Sequence, residues 1–225
     1  MTNKTTHHDS LNVEQTLISS EAFIEKYKKP IMYTFLVIVV LVAGYFLYRS
    51  FVLTPREEKA NEMIFKGQQY FATDSYEKAL NGDGQGFPGF LSIANEYGST
   101  KAGNLAQLYA GLSYAKMGKF QEAVNYLKNF KDCGDEMVSP AALGALGNCY
   151  AELDQLDQAT ATLMEAAKKA DNNSLSPIYL IQAGEIFESQ GQKDKALECY
   201  KEVKSKYVNS MQYAEIDKYI ERVSE

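Results

Sequence analysis

The stretch 111–123 reads GLSYAKMGKFQEA, and its spacing decides the fold. Gly111, Tyr114 and Ala123 stand at offsets 0, +3 and +12. The same offsets return in GNCYAELDQLDQA, with Gly147, Tyr150 and Ala159, and in GEIFESQGQKDKA, with Gly184, Phe187 and Ala196. The intervals are 36 and 37 residues. Self-similarity at that period marks a stack of helical hairpins, which are binding scaffolds. Two tightly packed antiparallel helices need a small residue where they cross, which the Gly and Ala positions supply. The aromatic fills the wedge between them. The intervening Met117-Gly118-Lys119, Leu153-Asp154-Gln155 and Gln190-Gly191-Gln192 read as turns, with Gly where a helix ends in a left-handed residue.

This spacing resembles the tetratricopeptide repeat family, whose motif is 34 residues long with small residues at positions 8 and 20. Setting Ala123, Ala159 and Ala196 at position 20 gives repeats 104–137, 140–173 and 177–210. Position 24 is then Leu127, Leu163 and Tyr200. The family's Trp at position 4 is replaced by Gln107, Leu143 and Leu180, and its later Pro by Asp135, Asp171 and Val208. Gly67, Tyr70 and Ala79 keep the offsets, so a degenerate repeat is expected over 60–103. Asn81-Gly82-Asp83-Gly84-Gln85-Gly86 must interrupt its second helix as a loop. Calcium ligation needs acidic oxygens at alternate positions and a closing Glu, which the run lacks. Tyr213, Ile216, Tyr219, Ile220 and Val223 form a stripe that predicts a capping helix in 211–225. Gly147 should tolerate Leu worse than Gly82, because one lies at a crossing and the other in a loop, unless the Gly82 backbone needs a positive φ.

Residues 31–48 hold no charge. Eighteen helical residues rise roughly 27 Å, and continuation to Leu53 covers the roughly 30 Å hydrocarbon core. Segment 30–53 therefore reads as a single uncleaved transmembrane anchor, with Pro30 at the helix start. The run is too long, and too far from the first residue, for a signal peptide. Lys26, Lys28 and Lys29 flank one side, and Arg49, Arg56 and Lys59 the other. The tighter Lys cluster, with Lys28 and Lys29 adjacent to the span, places 1–29 in the cytoplasm and 54–225 outside. Asn12 and Gln15 suggest a capping box. Val13, Leu17, Ile24 and Tyr27 then make 11–29 either a membrane-surface helix or a docking segment. Residues 1–10 are polar and read as disordered.

The chain carries a net charge of −6, and residues 54–225 alone carry −7, which disfavours nucleic acid. Cys133, Cys149 and Cys199 match no disulfide framework or zinc spacing. The only histidines, His7 and His8, lie in the tail, so the repeat region has no Cys–His or Ser–His pair. No phosphate loop or HExxH occurs. The expectation is an all-α, non-enzymatic chain with no cofactor or metal and no small-molecule substrate.

In the resembling family, positions 2, 5, 9 and 12 line a concave face that grips a partner. The resemblance implies that face at Ile64, Gln68 and Phe71, then Leu105, Leu108 and Leu112. It continues through Asn148 to Ile178, Ile181 and Glu185. The face begins apolar and ends acidic. These leucines either form a groove or pack against neighbouring helices. Short cytoplasmic segment, one span and acidic repeat domain together resemble the YfgM-like family of ancillary SecYEG translocon subunits. That resemblance implies a bacterial inner-membrane protein with its repeats in the periplasm. Its partners would be the translocon and a PpiD-like chaperone, and its role would be assisting proteins that emerge from the translocon. An envelope or outer-membrane assembly scaffold, and a cytosol-facing receptor of reversed topology, remain alternatives.

Overall fold

The computed structural model describes residues 8–224, with side chains from Lys26 onward. All regular structure among the described residues is helical. The chain divides into two compact units, one ending at Pro55 and one beginning at Arg56.

In the first unit, α1 runs over His8–Tyr48. It is already helical before Pro30, which corrects the expectation that Pro30 opens it. Pro30 has no N–H, so the Lys26 carbonyl loses its intrahelical donor. The Thr34 hydroxyl donates to the Pro30 carbonyl at 2.9 Å, one turn on. The helix also begins four residues before Asn12, so Asn12 is not its N-cap. The side chains of the expected amphipathic face, up to Ile24, lie outside the described residues. The tail 1–7 lies outside them as well. Every residue from 31 to 52 is exposed. A helix that is apolar all round and buries nothing needs a non-aqueous cover. A π-helical turn at Arg49–Leu53 follows, where the Thr54 hydroxyl and N–H both reach the Arg49 carbonyl.

The second unit is a stack of helical hairpins. α2 (Thr54–Ala72) pairs with the short α3 (Tyr76–Asn81) and α4 (Phe90–Glu96). Next come α5 (Lys101–Lys116) with α6 (Phe120–Asn129), and α7 (Val138–Glu152) with α8 (Leu156–Ala170). The last hairpin is α9 (Ser176–Ser189) with α10 (Lys193–Lys206). α11 (Ile216–Ser224) packs on α10. It is shorter than the stripe suggested, because Met211–Glu215 is a 3₁₀ turn that leaves Tyr213 exposed. Ile216 and Val223 seal the last hairpin at 1% and 5% exposure.

Each hairpin turns by the same device. The N–H groups of Ser75, Lys119, Gln155 and Gln192 donate five residues back to Tyr70, Tyr114, Tyr150 and Phe187, at 2.8–2.9 Å. These carbonyls belong to the repeated aromatics. The residue before each donor is left-handed: Asp74, Gly118, Asp154 and Gly191, with φ of 55°, 74°, 57° and 73°. This is the Schellman arrangement, and Asp tolerates the φ that Gly meets without strain.

The crossings explain the small residues. A Cβ on Gly111 would stand 2.6 Å from Leu127 Cγ, and on Gly184 2.4 Å from Tyr200 Cε1. Ala79, Ala123, Ala159 and Ala196 are fully buried opposite them. In the degenerate hairpin the counting offset points to Asp83 as the large residue. The structure instead sets Phe90 against Gly67, with its Cε1 2.4 Å from the Cβ position. The loop thus displaces the large residue seven places along the chain, and α4 restarts the helix on it.

The first turn of α2 is tied to the next hairpin. The Glu57 carboxylate accepts from the Lys101 N–H at 2.7 Å and the Ala102 N–H at 2.9 Å, at the start of α5. Unsatisfied N–H groups there make this a favourable place for a carboxylate. Beside it Arg56 donates to the Glu96 carbonyl at 2.6 Å and lies over the Tyr97 ring.

Candidate protein-interaction surface

The first helices of the hairpins carry the residues expected on the concave face, and the structure divides them. Ile64, Leu108 and Ile181 are 5%, 6% and 9% exposed, and each belongs to a hydrophobic core. Adjacent helices cover these three, the packing side of the two alternatives. Leu105, Leu112, Ile178 and Phe71 are half-buried and pack on the same cores. Phe71 meets the rings of Tyr76 and Tyr109 edge-on at 5.5 and 5.4 Å. Gln68 donates to the Tyr109 hydroxyl at 3.2 Å. Asn148 and Glu185 are exposed. What remains open on this face is a discontinuous set of half-exposed apolar flanks, one amide and one carboxylate.

The acidic end is weaker than the sequence suggests. Glu188, on α9, holds Arg222 of α11 at 2.7 Å and accepts from the buried Tyr200 hydroxyl at 3.2 Å. Burial pushes the Tyr200 phenol well above its ordinary range, so it stays a donor. Glu188 therefore anchors the capping helix, and Glu185 alone remains available.

The glycine-rich loop is built around Asp83. Its carboxylate accepts from the Gln85 and Phe87 N–H groups at 2.8 and 3.0 Å. It also meets Lys66 Nζ at 2.5 Å and accepts from the Tyr70 hydroxyl at 2.8 Å. With its oxygens committed in this way, the loop is structural. No group of metal-ligating side chains occurs among the described residues. The Lys66 hydrogen bond, then the backbone donors, hold the Asp83 carboxyl far below the usual carboxylate range. Its stabilising effect is therefore complete above the unfolded pKa of about 4 and is lost as pH falls below it. The melting temperature of wild type should drop more between pH 6 and pH 3 than that of Asp83→Asn. Parallel titrations would show that Asp83 does not carry this dependence.

Cys149 and Cys199 are buried and unbridged, and burial pushes both thiols up to about 11, away from reactivity. Cys133 is exposed, and Asn104 Nδ2 lies 3.6 Å from its sulfur. Lys28 and Lys29 are exposed on α1.

Two clefts went unread in the sequence. A small one of about 130 Å³ is lined by Leu143, Phe130 and the Asp132–Lys169 ion pair. A larger one of about 570 Å³ lies between α4 and α6, with Gln107 of α5 among its lining residues. The signal for both was present at position 4, where Gln107 and Leu143 replace the large indole of the family pattern. Nothing in the offsets said that the space would stay open.

The family model for the tetratricopeptide repeat-like domain matches residues 21–217. That range takes in the long apolar helix as well as the hairpins. Among curated proteins none matches the sequence.

Proposed function

Because the chain belongs to the tetratricopeptide repeat-like domain family, we propose that it is a membrane-anchored adaptor that holds protein partners and performs no catalysis. The carrying observation is the pairing of two features in one chain. One helix is long and apolar enough to cross a membrane, and its residues 31–52 bury nothing. It precedes a hairpin stack of the kind that binds protein partners. The partners we infer are the Sec translocon and a PpiD-like periplasmic chaperone. The repeat unit would then lie outside the inner membrane of a bacterium and 1–29 inside. The acidic repeat unit and the resemblance to YfgM-like subunits support this reading.

A photo-crosslinking residue at Asn148 or Leu112 in the membrane-bound full chain tests it, with mass spectrometry of the products. Adducts with a translocon subunit or a periplasmic chaperone are expected. Adducts with outer-membrane assembly proteins or cytosolic proteins alone would replace this reading. Orientation has its own test. Changing Lys28 and Lys29 to Glu should lower the fraction of chains whose repeat unit is open to external protease. The flanking basic residues nearly tie, so two changes suffice to shift the balance. Unchanged accessibility would mean that the Lys pair does not set the orientation.

A further inference from the structure

The cleft between α4 and α6 is built differently from the first-helix face. Its polar lining is Asn95, Gln107, Asn125, Tyr126 and Asn129, with no charged side chain. In a chain that is 23% charged, this is a local exclusion of charge. We propose that the cleft is a second binding site, which takes an uncharged peptide segment in extended conformation.

Carboxamides donate and accept together, as peptide groups do. Those of Asn95, Asn125 and Asn129 make no hydrogen bond among the described residues. The Gln107 Oε1 is shielded from solvent and also has no partner. A half-turn about the last side-chain bond exchanges this oxygen with the amide nitrogen, so Gln107 presents either group to an occupant.

Spacing favours a peptide over other neutral ligands. Asn125 and Asn129 lie four residues apart on α6, a rise of about 6 Å. Alternate residues of an extended chain repeat at about 6.6–6.8 Å, so the two amides can meet successive peptide groups on one edge. Leu91 and Ala94 of α4 supply an apolar wall for a small side chain. The Tyr126 ring is held by stacking on Tyr114 at 5.5 Å, so that side of the cleft is fixed. A volume of about 570 Å³ lies within the range of pockets that hold small ligands.

Gln107 ties the site to this hairpin alone. The equivalent positions of the next two hairpins hold Leu143, half-buried, and Leu180, 3% exposed. Gln107→Leu therefore converts the cleft to the chemistry of its neighbours.

The test uses the full chain in detergent and the peptide Ser-Val-Thr-Val-Ser-Val-amide with fluorescein on its N-terminal amine, read by anisotropy, and the acetylated peptide as its unlabelled competitor. Saturable binding is expected. Asn125→Ala with Asn129→Ala, both exposed positions, should weaken it about tenfold through two lost hydrogen bonds. Gln107→Leu should weaken it comparably while the melting temperature holds or rises. Unlabelled peptide should compete, and a neutral hexasaccharide, chitohexaose, should not. The proposal is overturned if wild type shows no saturable binding, if the variants bind as wild type does, or if the glycan displaces the peptide.

Discussion

Leu108→Glu is expected to lower the stability of the repeat unit by about 3–5 kcal/mol, the penalty of a buried charge left without a partner. Leu108 is 6% exposed and shares a core with Leu127, Leu146 and Cys149. For a unit of this size each kcal/mol shifts the melting temperature by about 2–4 °C, so a drop of about 10 °C should be seen by circular dichroism. The exposed Asn148→Glu serves as the control and should melt with wild type. If Leu108→Glu melts like wild type and loses its crosslinked partners instead, Leu108 faces a partner and its burial here does not describe the working state.

Gly147→Leu is the second large effect. The first carbon of any side chain at Gly147 would stand 2.7 Å from Leu163 Cγ and 3.3 Å from the Ala159 carbonyl oxygen. Leu163 is fully buried, so it has nowhere to retreat. Overpacking of this kind costs about 1–3 kcal/mol or more. The change should lower the melting temperature several degrees, while Ala161→Leu, on the exposed side of α8, should not. Equal melting of wild type and Gly147→Leu would contradict the crossing. Gly82 is not the harmless comparison that its loop position suggested. Its φ is +93°, and a Cβ there would meet the Phe87 carbonyl oxygen at 2.5 Å. A loop glycine can be as constrained as one at a helix crossing, for a different reason.

The hairpins were legible because close crossing restricts residue size at fixed intervals, and such restrictions survive in sequence as Gly and Ala. The left-handed turn residues were legible where they are Gly118 and Gly191. Asp154 was placed in its turn by its neighbours, and only the backbone reveals that it adopts the same φ. Phe90 was not legible as the partner of Gly67, since a glycine-rich insertion broke the count that identifies Leu127, Leu163 and Tyr200. The face of Ile64, Leu108 and Ile181 was legible as a stripe but not as core. A helical stripe says which residues share a side, and only packing says what covers them. The amide-lined cleft depends on the absence of a large side chain at Gln107 and on the shortness of α4, two features that lie in different repeats.

Glu57 sets an order on the birth of the fold. α2 is made before the rest of the repeat unit, yet the Glu57 carboxylate finds its N–H donors only 44 and 45 residues later, at Lys101 and Ala102. Phe90, which packs on Gly67, is made before Lys101, so that crossing can form while Glu57 is still unsatisfied. The later hairpins bring their crossing residues together over a much shorter stretch, as Gly147 and Leu163 do. The tie from Glu57 is thus the last part of the first hairpin to be satisfied, when the start of α5 has been made.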